Sequence, residues 1–94
     1  MKPKKTPLYY DYCWVFVSRE KHSPQQLYIG TAADLPQLFR DNTNREILYY
    51  RQFATTAEGM GHKLFLTHVK EETLWHTIRG MNPEGRDLGK EFFN

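Results

Sequence analysis

Trp14-Val15-Phe16-Val17 places large apolar groups in both phases of a strand's two-residue alternation. A strand of that kind needs cover on both faces, so it belongs at the centre of a sheet with layers above and below. In a chain of 94 residues this leaves room for one domain only. Aromatic residues make up 15% of the chain, and a few large rings supply much of the buried area that a short chain otherwise lacks.

The remaining elements follow from local signals. The Tyr-, Trp-, Phe- and Val-rich run from Leu8 to Val17 predicts a strand near 12–18. The polar stretch Ser18 to Gln25, containing Pro24, reads as a hairpin loop into a second strand at 26–30. Thr31-Ala32-Ala33-Asp34 has the form of a capping box and predicts a helix near 32–41. Asp41-Asn42-Thr43-Asn44 is turn-rich, and Ile47, Leu48, Tyr49 and Tyr50 then mark a third strand at 46–53. A second box, Thr55-Thr56-Ala57-Glu58, opens a helix at 56–67, with Gly59 and Gly61 weakening its first turns by up to ~1 kcal/mol each. Leu74, Ile78 and Met81 are spaced for the buried face of a last helix at 70–80, which Gly80 and Pro83 end. Nothing local decides whether the segment from Glu84 to Asn94 packs. The expected class is α+β, a three-stranded antiparallel sheet flanked by helices in the order β-β-α-β-α-α. Residues 1–7 read as a basic tail and 8–94 as the domain.

Charge and cysteine content narrow the functions. The net charge of +2 comes from Lys2, Lys4 and Lys5, and without them 10 basic residues face 11 acidic ones. A near-neutral body gives little support for tracking many phosphates. Cys13 is the only cysteine, so no disulfide framework or thiolate-rich zinc site forms within one chain, and its apolar neighbours predict a buried core residue. No apolar stretch approaches the ~18 residues that span a bilayer, and a cytoplasmic, soluble protein without membrane partners is expected.

Several blocks resemble the GIY-YIG nuclease family over positions 12–88 without a gap. Trp14-Val15-Phe16 stands at the first motif, and Leu27-Tyr28-Ile29-Gly30 reproduces the second. Asp34-Leu35 matches the start of the first helix, and Tyr49-Tyr50 with Phe53 the third strand. Asn82-Pro83-Glu84 with Arg86-Asp87-Leu88 matches the C-terminal signature. The resemblance implies hydrolysis of a DNA phosphodiester: tyrosines handle the proton of the attacking water, an arginine stabilises charge on the phosphate, and a glutamate holds one divalent metal. The two tyrosine positions carry Phe16 and Tyr28, the arginine position Leu38, the histidine position Asn42, the glutamate position Lys63 and the asparagine position Asn82. Leucine has no charge, and an ammonium repels a metal ion instead of ligating it. Cleavage is therefore expected to be lost, with no cofactor, while Tyr28, Lys63 and Asn82 are the residues expected to converge on a cleft that holds nucleic acid.

Three readings follow: a non-cutting domain that holds DNA or RNA, a protein-interaction or self-associating module on the same fold, and an active endonuclease using Mg²⁺ or Mn²⁺ through displaced groups. For the last, Arg40 is turned about 200° and Glu58 about 140° from the family positions on their helices. The pairs Glu58 with His62 and Glu72 with His76 are too small to make metal sites. Gly59-Met60-Gly61 lacks the context of a dinucleotide-binding turn. Tyr9, Tyr10, Tyr49 and Tyr50 are read first as core rings and only second as stacking surfaces.

Overall fold

A computed structural model describes residues 13–93. The chain forms strand β1 (Cys13–Glu20), strand β2 (Ser23–Ala32), helix α1 (Leu35–Arg40), strand β3 (Arg45–Phe53), helix α2 (Thr56–His68), helix α3 (Glu71–Met81) and a closing 3-10 helix (Leu88–Phe93). The three strands make one antiparallel sheet in the order β2-β1-β3. The α+β class and the central place of the Trp14–Val17 run are as the sequence predicts. The basic tail, Tyr9 and Tyr10 lie outside the described residues.

Alternation along β1 divides the core in two. Val15 and Val17 face α2 and α3, where Leu48, Tyr49, Leu66, Leu74 and Ile78 complete one cluster. Phe16 faces α1 and the 3-10 helix, joining Leu35, Phe39, Ile47 and Leu88. Helix α2 comes close enough to β1 that a Cβ on Gly59 would stand 2.8 Å from Cys13 Cβ. Gly59 is thus a packing glycine, and its propensity cost is set against helix–sheet contact. Cys13 is buried as expected, which raises its thiol pKa.

Three local expectations are corrected, and one question left open is answered. The β1–β2 hairpin is longer than the 26–30 strand implied, because β2 is an edge strand and takes up Pro24-Gln25-Gln26 in an irregularity opposite Arg19 and Glu20. Such positions need no N–H in the ladder, so proline fits there. Helix α1 is shorter than 32–41: Thr31 pairs with Val15 in the sheet, and Asp34 is the cap, its Oδ1 accepting from Gln37 N at 3.1 Å. Sheet pairing here overrides a capping signal that looked sufficient alone. Met81 is an exposed residue beyond the end of the core, with its sulfur 3.5 Å from Tyr50 N. The chain beyond Glu84 does pack, since Leu88 enters the Phe16 cluster. At the second box Thr55 caps α2 as predicted, its Oγ1 accepting from Glu58 N at 3.1 Å, while the Glu58 carboxylate accepts from the Thr55 hydroxyl at 3.2 Å.

The register of β3 against β1 shifts between Val17 and Ser18, so that Leu48 and Tyr49 both join the α2–α3 cluster while Ile47 and Tyr50 pack on the other side. Such a bulge interrupts the ladder. The segment after α3 meets it: Asn82 Nδ2 donates to Leu48 O at 3.1 Å, and Ile47 N donates to Asp87 Oδ1 at 3.0 Å.

Candidate functional site

The short α1 and the end of β2 leave a half-open groove of about 340 Å³ on the Phe16 face of the sheet. Phe16, Leu35 and Phe39 form its buried floor, and Tyr28, 55% exposed, and Leu38, 39% exposed, form its rim. The Phe16 and Tyr28 rings sit 6.0 Å apart, tilted by 49°. They lie over Gly30, where an added Cβ would approach Tyr28 Cε2 to 2.6 Å. The glycine of the Leu27-Tyr28-Ile29-Gly30 block is therefore what lets the tyrosine ring settle against the sheet.

Among the described residues one cation lines this groove, and it comes from β3. Arg45 donates from Nε and Nη2 to Ser18 Oγ at 3.1 and 3.0 Å, and its Cζ lies 5.4 Å from the centre of the Tyr28 ring. A guanidinium so placed over an aromatic face gains about 0.5–1 kcal/mol at a partly exposed site. Glu20 Oε2 stands 3.9 Å from Arg45 Nη1, an ion pair too long to be a hydrogen bond.

Of the residues singled out from the sequence, Phe16, Tyr28, Leu38 and Asn42 line this groove together. Asn42 is exposed, and its amide donates to Leu38 O at 2.7 Å, tying the end of α1 to the following turn. Lys63 and Asn82 are not among the lining residues. Lys63 belongs to α2, whose Gly59 and Leu66 pack on the opposite face of the sheet from the Tyr28 ring. Asn82 is only 1% exposed. Besides Leu48 O, its Nδ2 donates to Arg86 O at 2.7 Å, and its Oδ1 accepts from Arg86 N at 3.1 Å. The expected convergence of Tyr28, Lys63 and Asn82 is thus corrected: the asparagine amide is committed to the backbone and does not reach a ligand.

Arg45 is the residue that the sequence reading missed. Its role depends on strand register, which brings Ser18, 27 positions earlier, beneath its guanidinium. Arg40 turns to Gln37 Oε1 at 3.1 Å and is not among the residues lining the groove, and Glu58 closes the cap of α2. Among the described residues no carboxylate lines the groove, and no group of three His, Cys, Asp or Glu side chains is gathered to hold a metal ion. The residues present therefore do not fit a divalent cation at this place.

On the other face Tyr49 and His62 share a hydrogen bond of 2.9 Å between the hydroxyl and Nε2. Burial raises the Tyr49 pKa, with Arg51 acting in the opposite sense, while burial and then Arg51 lower that of His62. This pair joins β3 to α2, and Phe53 and Phe65 pack their rings 5.2 and 6.0 Å from the imidazole. No helix of the described residues is long and apolar enough to cross a membrane. No protein-family model, curated protein or solved structure matches the chain.

Proposed function

We propose that this is a GIY-YIG-like domain that has given up strand cleavage and keeps its groove as a binding surface for nucleic acid. The observation that carries the reading is the groove itself. Four of the six positions to which the resemblance assigns site residues line it, and they hold Phe16, Tyr28, Leu38 and Asn42, while Lys63 and Asn82 stand apart from it. Only Tyr28 retains the family's chemistry. Phenylalanine cannot relay a proton, leucine cannot stabilise phosphate charge, and asparagine is not a base near neutral pH. Losing a charge-stabilising group alone typically costs ~10²–10³ in rate. What remains is an aromatic rim beside a guanidinium, a combination suited to holding a base and a phosphate without reacting.

The test is incubation of the purified protein with plasmid, branched and single-stranded DNA in Mg²⁺ or Mn²⁺, alongside binding measurements without metal. Binding without cleavage is the expected outcome. Chelator-sensitive nicking that survives removal of host nucleases would establish the active-enzyme reading instead, with Arg45 as the displaced cation. A specific observation favours one further reading, a protein-interaction or self-associating module. Met60, Leu64 and Phe65 expose 41, 57 and 48% of their surface along the outer side of α2. Sedimentation across a hundredfold range of concentration tests self-association directly.

A further inference from the structure

We infer that the groove takes one unpaired nucleotide at a time, its phosphate on Arg45 and its base against Tyr28 and Leu38, and does not take a length of duplex. This rests on the nucleic-acid reading above and goes beyond it by naming the form of the ligand. Charge is the first reason. Among the described residues Arg45 is the one charged side chain lining the groove, whereas duplex binding draws its affinity from several neutralised phosphates. Size is the second. A groove of about 340 Å³ lies at the lower end of the ~300–1,000 Å³ usual for small-molecule sites, so it accommodates one base and little more.

Shape is the third reason. The exposed parts of Tyr28 and Leu38 both line the groove and give it an apolar wall, which a base can cover only when it is out of the helical stack. Preorganisation is the fourth. Two of the five N–H groups of Arg45 are held by the buried hydroxyl of Ser18, which fixes the plane of the guanidinium beside the wall. Glu20 Oε2, at 3.9 Å, pairs with the opposite edge without a hydrogen bond, so a phosphate oxygen takes up those N–H groups in competition with that carboxylate. A free mononucleotide and a nucleotide within a single strand present the same chemistry to this site.

The probes are thymidine monophosphate, thymidine, a six-residue oligothymidylate and a 12-base-pair duplex, titrated into isotopically labelled protein while the Tyr28, Leu38 and Arg45 signals are followed. The monophosphate and the single strand are expected to move those signals, with thymidine at least about tenfold weaker because it lacks the charged hydrogen bonds. Equal affinity for the monophosphate and the strand points to a free nucleotide, and tighter binding of the strand to an unpaired chain; both support the inference. Arg45→Met is expected to weaken the monophosphate by about 10–100-fold.

Because Ser18 leans on Arg45 and the variant can fail to fold, the salt dependence of oligothymidylate binding is measured on the unaltered protein as well. A slope of logarithmic affinity against logarithmic salt near −0.7, one phosphate of a single strand, is expected, and a slope of several times that overturns the inference. Duplex binding at the groove as tight as that of the single strand overturns it while leaving the nucleic-acid reading standing. Failure of all four probes to move the groove signals overturns both.

Discussion

On one face of the sheet Val15, Val17, Leu48, Leu66 and Ile78 close into an aliphatic layer beneath α2 and α3. On the other, Phe16, Leu35, Phe39, Ile47 and Leu88 are covered by a six-residue helix and a 3-10 helix, and that cover stops short at Tyr28 and Leu38. The same central strand feeds both layers, so the difference lies in what is laid over it. Thirteen- and eleven-residue helices seal one face, and the shorter pieces leave the other with a groove. In a domain of this size the closed face supplies much of the apolar burial that resists unfolding. The open face can therefore change residues at its rim with little effect on folding.

Paired substitutions test that division, the largest effect coming from the closed layers themselves. Ile78→Ala is expected to lose about 2–5 kcal/mol, as deletion of a fully buried side chain leaves a cavity. Leu38→Ala, at the rim of the groove, is expected to lose under about 1 kcal/mol. Urea denaturation of both variants gives the comparison. If the rim variant costs as much as the core variant, the groove is part of the stabilising core and the division between the faces is wrong.

The two asparagines provide a second, smaller contrast. Asn82→Ala removes the partner of the buried Leu48 O at the β3 bulge and of the part-buried Arg86 N and O, and about 2–3 kcal/mol is expected. Asn42→Ala removes one exposed bond to Leu38 O and should cost no more than ~1 kcal/mol. Equal and small losses in the same denaturation measurement would return Asn82 to the candidates for ligand contact.

Asn82 also shows where sequence reasoning stops. Its match to the family asparagine suggested a site residue, but whether an amide meets a ligand or the backbone depends on where β3 bulges, and a bulge is a property of pairing. Trp14 to Val17 announced their place because apolar groups in both phases have only one good solution. Thr55 announced the start of α2 because its bonds are local. Thr31 carried an equally good local signal and was claimed by Val15 across the sheet. Arg45 carried no signal: a lone arginine opening a strand is ordinary, and only the register that sets it over Ser18 and beside Tyr28 gives it a role. Local chemistry was legible, and chemistry assembled by strand pairing was not.

The smallest expected effect belongs to the closed face and concerns acid. His62 is held neutral by burial and by Arg51, so its folded-state pKa lies below the ordinary 6.5 of the unfolded chain. A base with a depressed folded pKa is more easily protonated in the unfolded state. The contribution of this group to stability is therefore complete above about pH 6.5 and declines as pH falls from there through the folded-state pKa. A protonated imidazole can only donate from Nε2 across the 2.9 Å bond to the Tyr49 hydroxyl, whereas the neutral ring can take either role. The chain holds three further histidines, so a variant at position 62 supplies the reference. His62→Gln keeps a polar side chain at the Tyr49 position without an ionisable ring, and thermal unfolding from pH 7.5 to 5 is compared for the two proteins. The unaltered protein should lose more stability over the acid half of that range than His62→Gln does. Superimposable curves would mean that His62 has the same proton affinity folded and unfolded. The Tyr49–His62 bond would then be no seal between β3 and α2, and the closed face would rest on its aliphatic residues alone.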